Sequence, residues 1–110
     1  MHGMISKGDV VVIPFPFSDL STTKRRPALV AATTKTDIVL CQITSDARKD
    51  SSAIPLSPKE FRTGGLRVPS LIRPTKLFTA DRSLILYKAG SLTHKKVQEV
   101  ENVFVQLFKK

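Results

Sequence analysis

Between Gly8 and Gly90 the chain never sustains a helical period. Its apolar residues come in short, β-branched runs, each stopped by proline, glycine or a polar cluster. "GDVVVIPFPF" runs apolar from Val10 to Phe15 and reads as a strand buried on both faces. Pro14 and Pro16 cannot donate to a ladder, so the end of that strand is an edge or a bend. "PALVAA" and "DIVLCQIT", joined by the polar "TTKT", read as a hairpin. "SAIPLS" is a short strand interrupted by Pro55, which places it near an edge. "SLIRPTKLFT" is a strand region broken by Pro74, and "RSLILYKAG" follows, ending at Gly90. The polar stretches "SDLSTTKRR", "SDARKDSS" and "PKEFRTGGLRVP" read as loops, with Gly64-Gly65 marking a turn in the last. The first of these loops, at about nine residues, is longer than a tight hairpin and therefore a candidate functional loop.

The period changes after Gly90. In "SLTHKKVQEVENVFVQLFKK" the apolar residues Val97, Val100, Val103, Phe104, Leu107 and Phe108 recur every three or four positions and share one helical face. Thr93 is the expected N-cap, and Leu92 and Val97 are spaced as a hydrophobic staple. Lys95 and Lys96 in the first turn oppose the helix dipole, while Lys109 and Lys110 suit its other end. Several short strands followed by one amphipathic helix exclude a doubly wound α/β fold. The fold class is mainly β with a C-terminal α-helix: a small, strongly bent antiparallel sheet or barrel on which the helix packs. The 110 residues read as a single domain, 1–110, with strands over about 8–88 and the helix over about 93–109.

The charge narrows the partners. Eighteen Lys and Arg stand against nine Asp and Glu, a net +9, which suits a polyanion such as nucleic acid. The one cysteine, Cys41, lies in an apolar run and reads as a buried core thiol, so neither an intrachain disulfide nor a zinc cluster is expected. No apolar stretch is long enough to span a bilayer, and "MHGMISKGDVV" carries no signal-peptide pattern, so the expectation is a cytoplasmic protein with no membrane partner. His2 and His94 have no acid or thiol partner nearby in sequence, which argues against a two-histidine acid–base nuclease. The acidic residues are scattered, which argues against a two-metal site. No HExxH motif, phosphate-binding loop or dinucleotide fingerprint is present. From composition and pattern alone the chain is a small, basic, β-rich domain that binds a polyanion.

One stretch concentrates the basicity at a strand entrance. In "TTKRRPALVAA", Lys24, Arg25 and Arg26 precede Pro27 and an apolar run. Pro27 biases Arg26 to an extended backbone. The ordered series "KGDVVVIPFPFSDLSTTKRRPALVAA", "VLCQITSD" and "SLIRPTKLFTADRSLI" resembles the MazF/PemK family of endoribonuclease toxins over nearly the whole chain. The family shares the Gly-Asp start, the Arg-Pro before a second apolar strand, a strand ending in Thr-Ser or a similar pair, and a later arginine-containing strand.

The resemblance implies a small SH3-like antiparallel barrel that forms a homodimer. It implies metal-independent, cofactor-free, sequence-specific cleavage of single-stranded RNA. It also implies neutralisation by a cognate antitoxin whose acidic, disordered tail covers the RNA site. Arg26 and Thr44 match the family's usual catalytic positions, and Arg73 matches a second arginine used in part of it. Where the pattern often continues with an acid two residues after that arginine, this chain has Thr75. Asp81 matches the aspartate after "FT", and the alternative reading is that it only caps a turn. Around this centre, Lys24 and Arg25 are expected to steer RNA or the antitoxin tail, and Ser45 adjoins Thr44. Arg48, Lys49, Arg62 and Arg67 are expected to contact the RNA backbone, and Phe17 and Phe61 either to stack on bases or to pack in the core or at the barrel mouth. Two other readings stay open: a non-catalytic RNA- or DNA-binding barrel, supported by Thr75, and a gyrase-directed toxin. The retained Arg26 and Thr44 and the basicity weigh against the latter.

Overall fold

A computed structural model describes residues 4–16, 23–46 and 50–110. Seven strands, β1 (Asp9–Pro16), β2 (Thr23–Thr33), β3 (Asp37–Thr44), β4 (Ile54–Leu56), β5 (Phe61–Gly64), β6 (Ser70–Asp81) and β7 (Tyr87–Leu92), precede one helix, α1 (His94–Lys109). All pairings are antiparallel, in the order β4-β6-β3-β2-β1-β7-β5. The architecture is a seven-stranded half-barrel with a C-terminal helix, the class that the strand count and the change of period imply.

The order carries its own closure condition. The two edge strands, β4 and β5, are consecutive in the chain and joined only through residues 57–60. Seven strands laid flat span about 29 Å from edge to edge. Leu56 and Phe61 are five Cα steps apart and reach at most about 18 Å, less here because Pro58–Glu60 forms a 3₁₀ turn. The sheet has to curl until its edges approach. Residues from all seven strands meet on the inside of that curl: Val10, Leu29, Cys41, Ile43, Ile54, Leu56, Ile72 and Leu92 are buried together, with Phe61 packed against them. Helix α1 closes this core with buried Val100 and the flanking Val97, Val103 and Phe104.

A second core lies on the other face. Val11, Ile13, Ala28, Val30, Ile38, Leu40 and Ala80 pack there beneath Ile5 and Ile85. The neighbours Val10 and Val11 of β1 therefore serve opposite cores, and Val12 and Ile13 are buried as well, which is why the strand is apolar without alternation. Pro14 and Pro16 lie beyond Val12↔Tyr87, the last pair of β1 with β7, so they cost that ladder nothing.

The connections differ from the sequence expectation in four places. Strand β2 begins at Thr23, so Lys24, Arg25 and Arg26 lie in the strand and pair with Phe15, Pro14 and Ile13 of β1, not in the preceding loop. Pro27 is accommodated because pairing with β3 starts only at Ala28. Pro74 bulges β6 without breaking it, as the uneven pairing with β3 records. "FRTG" is strand β5, not loop. After β6, Arg82–Leu84 forms a 3₁₀ turn, and the last strand runs from Tyr87 to Leu92.

The Gly-Asp start is structural. Gly8 has φ +96°, and a Cβ there would come within 2.9 Å of a Val97 methyl on α1. Asp9 is buried and accepts from the Ser6 amide at 2.9 Å and the Ser91 hydroxyl at 2.7 Å, with Lys88 Nζ at 3.4 Å. At the same end of the sheet, just past Ser91 and Leu92, Thr93 caps α1 by accepting from the Lys96 amide, and its own amide donates to the Glu60 carbonyl at 2.8 Å. Lys96, only 4% exposed, bridges Glu60 at 2.9 Å and Glu99 at 3.1 Å. Its unfavourable place in the first helical turn is thus offset by two carboxylates. Among the described residues no helix is long and apolar enough to cross a membrane.

Lys96→Ala removes the cation that ties α1 to the 57–60 connection and leaves Glu60 without it. We expect a loss of about 1–3 kcal/mol in urea unfolding, below the value for a fully buried pair because Glu60 and Glu99 keep some solvent. The double change Lys96→Met with Glu60→Gln should recover part of it.

Candidate functional site

The polar end of the outer sheet face collects the residues of interest. Register supplies the geometry. Ile13 pairs with Arg26, and Ala28 pairs with Gln42. Continuing the β2–β3 register by two residues sets Arg26 level with Thr44, which pairs with Leu71, which pairs with Pro55. Side chains alternate along a strand and match across it, so Arg26, Gln42, Thr44 and Arg73 share one face. That face is the one whose apolar part holds Ile13, Ala28 and Leu40. Burial follows: Arg26, Gln42, Thr44 and Arg73 are all half-buried, where the apolar core runs out. Phe15 and Phe78 flank this core, partly buried, with ring centroids 5.3 Å apart and planes tilted by 58°.

Thr44 ends β3 in a hydrogen-bonded turn. Its hydroxyl donates to the Asp46 carbonyl at 3.2 Å and accepts from the Asp46 amide at 3.1 Å. A hydroxyl has one proton and two lone pairs, so one lone pair is left over. Arg73 sits where β6 bulges. Its Nε donates to Asp50 Oδ2 at 2.8 Å, and its carbonyl accepts from the Cys41 thiol at 3.0 Å. Asp50 is nearly buried, and its other oxygen accepts from the Ser52 hydroxyl at 2.6 Å and the Ser52 amide at 3.0 Å. The Arg73 guanidinium first, then Ser52, hold the Asp50 carboxyl down at about 2. Burial pushes the Cys41 thiol up to about 12, against the lowering effect of its bond to the Arg73 carbonyl.

The other sequence candidates separate. Lys24 and Arg25 are exposed on β2, beside Phe15 and Pro14 of β1. Ser45 is exposed in the turn after Thr44. Phe61 packs on the inner core. Arg62 lines a separate cleft with Lys7, His94 and Gln98 against α1, and Arg67 is exposed between β5 and β6. Phe17, Arg48 and Lys49 lie outside the described residues. Asp81 caps the 3₁₀ turn, accepting from the Ser83 amide at 2.8 Å. Asp50 and Gln42 are the residues that sequence reasoning passed over. Gln42 carried a signal, a polar residue inside "IVLCQIT"; Asp50, in a polar loop 23 residues before Arg73, carried none. Among the described residues no three His, Cys, Asp or Glu side chains cluster as metal ligands.

The fold finds its counterpart among known proteins. The family described as PemK-like, MazF-like toxin of type II toxin-antitoxin system matches residues 6–108, and the chain belongs to it. Solved structures agree on the fold. A MazF chain from MazE–MazF crystals of Deinococcus radiodurans superposes with TM-score 0.75 at 18% identity, covering 96% of both chains. An endoribonuclease in complex with its cognate antitoxin, from a mycobacterial species, gives TM-score 0.73 at 13% identity, again over 96% of both. The Mycobacterium tuberculosis toxin MazF-mt6 gives 0.65 at 17% identity, covering 90% of this chain and 96% of its own. No relative was found among curated protein sequences.

The Cys41 environment makes a direct forecast. With its folded value raised above the usual 9.0, the thiol stays protonated and unreactive toward a maleimide at pH 8. Labelling should appear only on unfolding. The same shift adds stability that is complete below pH 9 and erodes as pH climbs from 9 toward 12. Urea titrations of the wild type and Cys41→Ala between pH 8 and 11 read out that convergence.

Proposed function

We propose that this toxin is an endoribonuclease that cleaves single-stranded RNA by attack of the 2′-OH on the adjacent phosphate, without a metal or other cofactor. The observation that carries this reading is the single face shared by Arg26, Thr44 and Arg73, two guanidinium groups and a hydroxyl on neighbouring strands. RNA brings its own nucleophile, so the enzyme has to align the 2′-OH with the leaving 5′-oxygen and stabilise the charge that grows on the phosphate. A guanidinium offers a planar fork of donors that matches two phosphate oxygens. Arg26 is assigned this role first and Arg73 second. Arginine keeps its proton at neutral pH, so charge stabilisation, not acid catalysis, is the main contribution. Thr44 has its proton committed to the Asp46 carbonyl. Its remaining lone pair suits acceptance of a hydrogen bond from the 2′-OH, which orients the nucleophile without making Thr44 a strong base. The partly exposed Phe15–Phe78 pair offers an apolar platform for a base.

The partners follow from the same charge. We assign the chain a homodimeric state and a cognate antitoxin whose acidic tail competes with RNA for the arginine face; Lys24, exposed on that face, and Arg25, exposed on the other side of β2, serve as steering charges. A non-catalytic RNA-binding role is the second reading, favoured by the engagement of both Thr44 and Arg73 in protein hydrogen bonds.

Purified protein incubated with mixed-sequence RNA in excess chelator should produce 2′,3′-cyclic phosphate and 5′-hydroxyl ends. Arg26→Ala should lower the cleavage rate at least about 100-fold with the fold intact by circular dichroism. Salt-sensitive RNA binding with no cleavage of any sequence would move the assignment to the second reading.

A further inference from the structure

Strand β6 is longer than its partner at one point. Cys41 pairs with Leu77 and Ile43 with Ile72, so five steps along β6 answer two along β3. The surplus, centred on Arg73-Pro74-Thr75-Lys76, is a bulge of several residues, larger than a one-residue insertion. Pro74 has no N–H to give the ladder and is fully buried, which fixes where the bulge forms. The bulge leaves the Arg73 carbonyl to the Cys41 thiol, at 3.0 Å. The backbone of Arg73 is therefore clamped from beneath by a core residue.

Its side chain is clamped as well. Nε bonds Asp50 Oδ2 at 2.8 Å, and Asp50 is itself fixed through its second oxygen by the amide and hydroxyl of Ser52. The Asp50 side chain is 8% exposed and that of Arg73 is 27% exposed. The carboxylate thus lies at the inner end of the guanidinium. The bond uses Nε, and the two terminal amino groups are the part of the fork that can take two phosphate oxygens together. Asp50 and Ser52 also belong to the connection that begins at Thr44 and its turn with Asp46. One short connection therefore constrains both the hydroxyl and the second arginine.

We infer that Asp50 is a positioning residue: braced by Ser52, it orients Arg73 so that the terminal amino groups of the guanidinium face the reacting phosphate. This rests on the reading of Arg73 as a phosphate ligand. Asp50 acts through Arg73 and takes no proton from the nucleophile. A carboxylate held this strongly in its ionised form is a feeble base. Its contribution belongs to the transition state, where a misdirected guanidinium loses most, so it is expected in kcat more than in KM.

The test uses the full chain with Asp50→Asn, Asp50→Glu and Ser52→Ala. Two readouts are needed: steady-state cleavage of an RNA substrate, and the ¹H–¹⁵N signal of Arg73 Nε. In the wild type that Nε proton should exchange slowly with water. Asp50→Asn should speed its exchange and lower kcat about 10- to 100-fold while KM stays within about threefold. Ser52→Ala should lower kcat about two- to fivefold, and Asp50→Glu should recover part of the loss. Unchanged kcat in Asp50→Asn, or a loss carried wholly by KM, overturns the inference. If Asp50→Asn does not fold, Ser52→Ala carries the test, and wild-type kcat with unaltered Nε exchange overturns it. If the wild type cleaves no RNA, the functional reading fails separately. Titration with inorganic phosphate then decides: Arg73 signals that shift in the wild type and not in Asp50→Asn support positioning, and equal shifts in both overturn it.

Discussion

The short connection between the two edges of the sheet constrains everything else. β4 and β5 lie at opposite ends of the strand order, yet only residues 57–60 separate them in the chain. A flat sheet cannot meet that condition. Once the sheet curls, its inner face becomes a core shared by all seven strands, with one open side that α1 has to cover. The connection also anchors the cover. The Glu60 carbonyl accepts from the Thr93 amide at the start of the helix, and the Glu60 carboxylate pairs with buried Lys96. Burial alone would raise Glu60, but its bonds to Ser57 and Lys96 outweigh that and keep the carboxyl below its ordinary value. The ion pair is ionised where it is needed, and its desolvation cost is offset by several hydrogen bonds rather than one.

Curling also creates the candidate site. The outer face of β1, β2, β3 and β6 is apolar along most of its length, under Ile5 and Ile85. At the end of β2 and β3 the same face turns polar, through Arg26, Gln42, Thr44 and Arg73. These residues inherit rigidity from the apolar rows beneath them. Arg26 is two residues from buried Ala28, and Thr44 is next to buried Ile43. A guanidinium carried on such a strand begins close to its working position, which lowers the entropy lost on binding a phosphate. On the proposed reading, the net charge of +9 recruits RNA while a few fixed donors act on its phosphate.

Much of the fold was legible because burial writes itself into residue choice. The unbroken "VVVI" announced a strand covered on both faces, and both cores are present, one on each side of β1. The spacing of Val97, Val100, Val103 and Phe104 announced the helix and its inner face. Local rules misplaced the boundaries. "KRR" looked like loop by charge but extends β2, because exposed side chains on a strand carry no burial signal. Pro74 looked like a strand end, but the bulge absorbs it. Phe61, beside a basic loop, could by sequence either stack on a base or pack in the core; β5 pairs with β7 and turns that ring into the inner core.

The sequence by itself determined the strand-rich class, the terminal helix, the basic character and the arginines and threonine that define the candidate face. These are local facts, set by side-chain size, period and charge. Tertiary structure alone decided which of the basic residues stand together. Arg26 and Arg73, far apart in the chain, share a face through the register of β2, β3 and β6, whereas Arg62 lines a cleft against the helix. It also decided that the acid beside Arg73 is Asp50, from a different connection, although position 75 is a threonine. Such pairings follow from sheet order and a bulge, and those depend on how the whole chain closes its cores, not on any short run of residues.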